Sequence, residues 1–555
     1  MKVSEVIVRI LEKEGITDAF GIPGAGINPV YEYLEGSSIV HHIMRHEEAC
    51  VHAADGYYRS SGKMALAICT SGPGATNFVT GLYTAKIDSM PLFAITGQAK
   101  RDQLGTDAFQ CVDIESIAAP VVKKAVCVME PEKIPEIMQQ LIHLAKEGRR
   151  GPVLMDLPLD VQMADIDFDL DSYCSLPVER KDADPDLIEK AVALLDSASN
   201  PLIIMGGGVI HAEAESKLIE FAEIMNIPVA TTYMAKGGIP EQHRLNAGQI
   251  GIQVGANSSG NELFLSSDVV MGVGCRFTDR HTGNIGIYKG DRRFIHIDVD
   301  PNEIGKLITP EIGIEADALP ACEKLVEVAL RKGQRKGSER VSQVPSLKKS
   351  SERAYCGKGV IIDPRDVFLM VNKVFGDDAM YTTGCGITQI WSGQYQRVSG
   401  SRKYLPSGGA GTLGYDIPAA IGACVGVKDK TTVCLMGDFG FTFMVEELAV
   451  ARKYDLPIVV VVVNNAYLGL IRQNQKYAYK YEYEVALREN KYGFIDYQKV
   501  AEGFGCRAER VFSYDELEGA MIRARESRTT CVVEVFVDDH QDCDMGNDLA
   551  HINRF

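Results

Sequence analysis

With 555 residues, 46% of them apolar, the chain has length for about three or four domains and enough apolar side chain for each to bury a core. Its formal net charge of −17 excludes nucleic acid and anionic membrane as principal partners, since both attract basic surfaces, and leaves a small molecule as the expected ligand. The 14 cysteines include no CxxC pair, which argues against a zinc ribbon or disulfide framework and for free thiols in the cytoplasm.

In chain order, "MKVSEVIVRILEKEG" reads as an amphipathic helix stopped at Gly15, without the features of a signal peptide, and no later apolar run has the length of a membrane span. The β-runs "AFGIPG", "MALAICTSGPG" and "PLFAITGQ" then alternate with helical stretches. "RHEEACVHAADGYYRSSGK" predicts a helix presenting Glu47 directly after a strand; an acid there also suits the helix macrodipole, so alone it marks no site. "TSGPGATN" (70–77) and "GQAKRDQLGTDAFQ" (97–110) are Gly- and Pro-shaped loops suited to backbone contact with a ring and to a lid. An acidic, Pro-containing linker is expected over 165–185.

The second block repeats the alternation with "PLIIMGGG", "VVMGVGCRF" and "RFIHIDVD". A polar, basic stretch without apolar periodicity, 331–359, reads as a solvated linker. The third block carries "AMYTTGCG", "TTVCLMGD" and "PIVVVVVNN". Three doubly wound α/β domains with parallel sheets are expected, over 1–170, 186–330 and 358–555.

The sharpest chemical signal is in the third block. "TTVCLMGD", the helical "VEELAVARKY" and "LPIVVVVVNN" form a βαβ unit, so Asp438 and Asn465 emerge side by side at the carboxyl edge of a parallel sheet. Oxygen donors there suit Mg²⁺ or Ca²⁺ with room left for phosphate. Upstream, "TTGCGITQ" (382–389) is a strand-to-helix turn of the kind whose amides cradle phosphate, and "SGGAGTLGYDIPAAIGA" (407–423) is a Gly-rich turn followed by a helix.

The motifs "FGIPGAGINPVY", "TSGPGATN", "GTDAFQ", "GPVLMDLPLDVQ", "GCRFTDRHTG", "IDVDPNEIG", "GDF" and "NNAYLGLIRQ" span essentially the whole chain. By them it resembles the acetohydroxyacid synthase and glyoxylate carboligase branch of the thiamine diphosphate (ThDP)-dependent decarboxylase family. The resemblance implies ThDP, with a metal held by Asp438, Asn465 and the carbonyl of Tyr467; Phe439 stands where the commonest pattern has Gly. It implies further cofactor contacts from Gly437, Leu468, Gly469 and Leu470, and from Cys385, Gly386, Ile387 and Thr388. Gly411 and the ring-wedging Leu413 belong to the same set, as do Pro23, Gly24, Ala25, Pro73 and Asn77 of the first block. Glu47 is then the acid bonded to the pyrimidine nitrogen that drives proton removal from the thiazolium. Active sites would lie between the first domain of one subunit and the third of another, in a homodimer or homotetramer.

For the middle block the resemblance implies a non-redox FAD site formed by Gly206, Gly207, Gly208, Thr231, Tyr233, Met234, Arg276, Arg280, Asp298 and Asp317. Phe109, Gln110, Leu159, Arg280, Ile471 and Asn474 would face the substrate, a short 2-oxo acid. Leu159 and Asn474 replace the Lys and Trp of the synthases, and "NNAYLGLIRQ", "RHTG" and the tail "DMGNDL" follow the carboligase. Glu47 pulls the other way, since the carboligase has an apolar valine there, and "LGTDAFQ" also follows the synthase. Two glyoxylates giving tartronate semialdehyde and CO₂ is the expected reaction, with two pyruvates giving 2-acetolactate and CO₂ the alternative. Two further readings are a catalytically silent flavin- or nucleotide-binding regulatory protein and a flavin oxidase acting on pyruvate.

Overall fold

The computed structural model describes residues 1–255, 258–333, 339–487 and 495–545. Its strands form three six-stranded sheets, every pairing parallel. The first contains β1 (Asp18–Gly21), β2 (Val40–Ile43), β3 (Leu66–Cys69), β4 (Phe93–Gln98), β5 (Lys124–Cys127) and β6 (Val153–Pro158), in the order β2-β1-β3-β4-β6-β5. The second contains β7 (Pro201–Met205), β8 (Val229–Thr231), β9 (Asn246–Gln249), β10 (Val269–Val273), β11 (Arg293–Asp298) and β12 (Ile312–Glu315), in the order β12-β11-β10-β7-β8-β9. The third contains β13 (Met380–Thr383), β14 (Tyr404–Pro406), β15 (Thr432–Gly437), β16 (Ile458–Asn464), β17 (Arg507–Val511) and β18 (Cys531–Phe536), in the order β14-β13-β15-β16-β18-β17.

Each order turns outward in both directions from one point, between β1 and β3, between β7 and β10, and between β13 and β15, and the first and third sheets also swap their last two strands. At such a reversal the connections leave on opposite faces and open a crevice beyond the carboxyl ends of the strands. Glycine fits where the two loops at a crevice nearly touch. A methyl group at Gly24 would lie 2.6 Å from Thr70 Cβ, and one at Gly206 would overlap the Gly274 carbonyl.

The sheets are apolar because helices cover both faces; all seven residues of β16 are buried. The first and third sheets are joined by the helices Glu47–Ser61 and Asp416–Gly426, which cross backbone to backbone. A methyl group at Gly56 would overlap Ala419, and one at Gly422 would overlap Ala53.

The opening helix runs Val3–Lys13, with Gly15 at φ +77° closing it as expected. The stretch 331–359 departs from a plain linker: Glu339–Ser351 is helical despite Pro345. Val344 is buried, and Arg340 donates to Ser267 Oγ at 2.7 Å, so this helix docks on the second sheet's domain through few apolar residues. "VEELAVARKY" is also less regular than its pattern, a 3₁₀ turn Val445–Glu447 leading into the helix Leu448–Lys453. Residues 546–549 of the "DMGNDL" motif lie outside the described residues. Among the described residues, no helix is long and apolar enough to cross a membrane.

Candidate active site

The third sheet's crevice opens between the loops after β13 and β15. Cys385 and Gly386 lead from β13 into the helix Ile387–Tyr395, whose N-terminus has no side-chain cap. Gly386 is at φ +99° with open space where a Cβ would stand, while a methyl group at Gly437 would sit 3.3 Å from Thr388 Oγ1. The turn Leu468–Leu470 starts a second helix, Gly469–Asn474, again without a side-chain cap. Uncapped helix starts leave backbone N–H groups unpaired, and a diphosphate fits them.

Beside them lies an oxygen-rich corner. Asp438 accepts from the amides of Phe439 (3.0 Å) and Ala466 (2.8 Å), and Asn465 Oδ1 accepts from the amide of Tyr467 at 3.4 Å. Ala466 takes φ +55° to make the turn, the kind of local strain that accumulates at functional sites. Asn464 is held from below by Glu534 Oε1 at 2.8 Å. Burial pushes the Asp438 carboxyl up to about 7, with the amides of Phe439 and Ala466 pulling it back. A divalent cation would offset that desolvation, and a carboxylate, an amide oxygen and the Tyr467 carbonyl are the hard donors Mg²⁺ takes. Across the crevice, a methyl group at Gly411 (φ +61°) would lie 3.5 Å from Cys385 Sγ, and Leu413 Cδ2 would lie 3.8 Å from a methyl at Gly440. The expected ring wedge thus stands in the same crevice as the metal corner.

The first sheet's crevice carries the acid. Glu47 opens the helix Glu47–Ser61, and His46 caps it by accepting from the Glu48 amide at 3.2 Å. Asn77, in the helix Pro73–Ile87, donates to Glu47 Oε2 at 2.9 Å. Methyl groups at Gly74 and Gly72 would stand 3.4 Å from Glu47 Oε1 and 2.7 Å from Gln110 Cβ. Glu47, Asn77, Pro73 and Gln110 are therefore neighbours, with Pro23, Gly24 and Ala25 on the other side of the crevice. Among the described residues Glu47 makes no hydrogen bond to the metal corner.

Two side chains that the motifs did not flag join these halves. Asp88 accepts from the amides of Gly408 (3.1 Å) and Gly409 (2.8 Å) on the loop that leads to Leu413, and pairs with Arg59 at 2.9 Å. Glu447 accepts from the amides of Arg45 and His46, just before Glu47. Neither carries a motif-like signal, because the amides each one holds lie hundreds of residues away.

The second sheet's crevice is a cleft lined by Gly207, Gly208, Tyr233, Met234, Arg276, Arg280, Asp298 and Asp317, together with Asp88, Arg149 and Gly408 from the flanking domains. Gly206 and Thr231, also expected there, do not line it. Gly206 packs on the Gly274 backbone and Thr231 ends β8, so both shape the crevice from behind. Asp317 caps the helix Ala318–Lys332 through the Leu319 amide at 3.0 Å. Burial pushes Asp298 up to about 6 and His281 down to about 4. A Gly-rich strand-to-helix turn facing arginines fits a dinucleotide, and the cleft is deep enough to desolvate acid and imidazole alike. Tyr233 of this cleft donates to the Gln389 carbonyl at 2.9 Å, in the helix after β13, which places the cleft next to the third crevice.

The remaining residues expected to face a substrate are spread over both halves. Leu159 starts a one-turn helix at the end of β6, whereas Ile471 and Asn474 lie on the helix after Leu468. Phe109 is 88% exposed and Ile471 52%, so one chain alone does not enclose them.

Three parallel sheets, an uncapped phosphate cradle beside an Asp-Asn oxygen corner, and an Asn-held glutamate at a second crevice define the class of thiamine diphosphate enzymes. The chain belongs to the thiamine pyrophosphate enzyme family. Models of its N-terminal TPP binding domain, central domain and C-terminal TPP binding domain match residues 1–117, 188–325 and 384–535. Glyoxylate carboligase of Escherichia coli O157:H7 is 43% identical over 574 aligned residues, covering 100% of this chain and 96% of that protein. The acetolactate synthase large subunit of Corynebacterium glutamicum is 40% identical, covering 96% of this chain and 86% of that protein, and a probable acetolactate synthase large subunit of Methanococcus aeolicus is 37% identical, covering 94% and 90%. These relatives set the chain in the carboligase branch of the family.

Proposed function

We propose that the chain joins two glyoxylate molecules with loss of CO₂, giving tartronate semialdehyde, in a ThDP- and Mg²⁺-dependent reaction in the cytoplasm. The observation that carries this reading is the Asp438–Ala466–Asn465 corner facing uncapped helix starts at a sheet reversal, in a chain similar over its whole length to a glyoxylate carboligase. Asp438, Asn465 and the Tyr467 carbonyl would hold Mg²⁺, and the amides from Cys385 to Thr388 and those of Gly469 and Leu470 would hold the diphosphate, the Leu468 amide being taken by the Val485 carbonyl at 2.8 Å. Bound ThDP supplies the nucleophilic carbon and the electron sink for decarboxylation. Glu47, oriented by Asn77, holds the proton at the pyrimidine nitrogen. Arg280 suits a bidentate grip on a substrate carboxylate, and the loop 97–110 suits exclusion of water.

Exposed Phe109 and Ile471 fit a second copy that completes the pocket, so a homodimer, or a homotetramer of two such dimers, is the proposed active form. The middle cleft would hold FAD without redox work, through Gly207, Gly208, Arg276 and Asp298. Glu47 favours the second reading, acetolactate synthesis from pyruvate; Leu159 and Asn474 favour glyoxylate. Incubating the protein with ThDP, Mg²⁺ and either acid, then identifying the product, tests the proposal. Absence of tartronate semialdehyde would refute it, and acetolactate in its place would establish the second reading.

A further inference from the structure

Glu447 is fully buried at the end of the 3₁₀ turn Val445–Glu447, in the same β15–β16 connection that begins with Asp438. Its Oε1 accepts from the backbone amides of Arg45 and His46, each at 2.9 Å. Its Oε2 is buried with no hydrogen-bond partner among the described residues. Tyr454, from the same connection, accepts from the amide of Ile43 through its hydroxyl at 2.9 Å. The stretch from the last residue of β2 to the helix Glu47–Ser61 is therefore gripped by two side chains of another domain. A buried carboxyl spent on two consecutive amides is a poor way to fill space, since an apolar side chain would avoid its desolvation. It is a good way to fix one peptide, because two N–H groups converging on one oxygen define its orientation.

We propose that Glu447 is a positioning residue for Glu47: it fixes the 43–46 segment so that the first carboxylate of the following helix points at the pyrimidine. The inference rests on the reading of Glu47 given above. Burial pushes the Glu447 carboxyl up to about 8, with Glu446 adding to the shift and Arg45 and the two amides opposing it. The side chain is then mostly neutral near pH 7, and glutamine, which keeps an oxygen for both amides, should replace it.

Two readouts separate positioning from general stability. In the cofactor-free protein, Glu447→Ala should raise amide hydrogen exchange across 43–47 while the rest of the first sheet keeps its protection. With Mg²⁺ and ThDP bound, proton exchange at C2 should slow by about 10- to 100-fold, the scale of an ångström-sized misplacement, with cofactor affinity within about 3-fold of wild type. Glu447→Gln should restore both. Native protection at 43–47 together with wild-type C2 exchange in Glu447→Ala would overturn the proposal, and so would a loss shared equally by the whole domain and by cofactor affinity. If the alanine variant does not fold, Tyr454→Phe carries the test, since it frees only the Ile43 amide. Slower C2 exchange with intact affinity supports the proposal, and no change overturns it. Glu47→Gln serves as the control: wild-type C2 exchange in that variant would defeat the reading of Glu47 itself, whereas wild-type exchange in Glu447→Ala alone defeats only the anchor.

Discussion

Asp438 Oδ2 lies 2.8 Å from the backbone nitrogen of Ala466, so the turn after β15 is tied directly to the turn after β16. The hydrogen bond sets the spacing of the two oxygen donors that flank it, the Asp438 carboxylate and the Asn465 amide, before any ion arrives. It also leaves the carboxylate buried and without a cationic side chain in the contacts it makes, so binding of a divalent cation repays a desolvation cost already built into the fold.

Replacement of Asp438 by Ala should therefore abolish tight Mg²⁺–ThDP binding without unfolding the chain. A ligand contacting the metal should cost more than outer-shell partners do, hence on the order of 100-fold or more in affinity. Titration calorimetry on the variant measures it, with circular dichroism as the folding check; an unchanged affinity would remove Asp438 from the metal site.

Glu47→Gln keeps the Asn77 contact in shape but not the acid. C2 proton exchange in the bound cofactor should slow by about two to four orders of magnitude, the usual worth of a positioned acid–base group. Cofactor affinity should change little. Exchange at the wild-type rate would reduce Glu47 to a helix-start residue favoured by the macrodipole.

The strand-turn units were legible because buried parallel strands are short apolar runs that stop at Gly, Asp or Asn, and "TTVCLMGD" and "PIVVVVVNN" do so one register step apart. Short edge strands such as Tyr404–Pro406, with three residues, offer no periodicity to read. The helix Glu339–Ser351 was hidden because it is polar and contains Pro345, and it docks through Arg340 and Val344 instead of an apolar stripe. Glu47 and the Asp438–Asn465 corner lie in local sequence patterns, whereas the anchors Asp88 and Glu447 act on peptides about 320 and 400 residues away and leave no local trace.

The crossing of Gly422 over Ala53 predicts a steric experiment. Gly422→Ala must push apart two helices, one of which begins with Glu47, and overpacking of this kind costs about 1–3 kcal/mol or more. The variant should melt at lower temperature and lose C2 exchange rate as well, while an alanine at the open Gly503 should do neither. Equal melting of both variants would show that the helices can separate freely.

Asp416 gives a pH test independent of the metal. Its carboxyl is buried, accepts from the Gly384 amide and is pushed by burial up to about 7, against an ordinary value near 4 in the unfolded chain. Between those values the folded state holds a proton that the unfolded state has lost, so this group lowers stability as pH rises from about 4 to about 7, by up to about 1.4 kcal/mol per unit. Above 7 the penalty is constant. Asp416→Asn should thus gain on wild type as pH is raised through that window and then hold its advantage, in denaturant titrations of the cofactor-free protein. A difference that does not change with pH would place the titration elsewhere.

Substrate choice is the last test, and it turns on Asn474 and Leu159. Glu47 touches the cofactor's pyrimidine in the proposed site and so governs how fast the cofactor is activated, whichever acid is used. The walls decide which acid fits, and pocket changes of one or two groups are worth about 1–3 kcal/mol each, or 10- to 200-fold in discrimination. Asn474 is the sixth and last residue of the helix Gly469–Asn474, which begins at the proposed phosphate cradle, so its side chain can change without disturbing the Asp438–Asn465 corner. With equal glyoxylate and pyruvate and limiting protein, the wild type should form mainly tartronate semialdehyde. Asn474→Trp should shift the product ratio toward acetolactate by about 10-fold or more, with ThDP affinity unaltered, and Leu159→Lys should add to the shift. Predominant acetolactate from the wild type would establish Glu47, and not the wall, as the better guide to substrate.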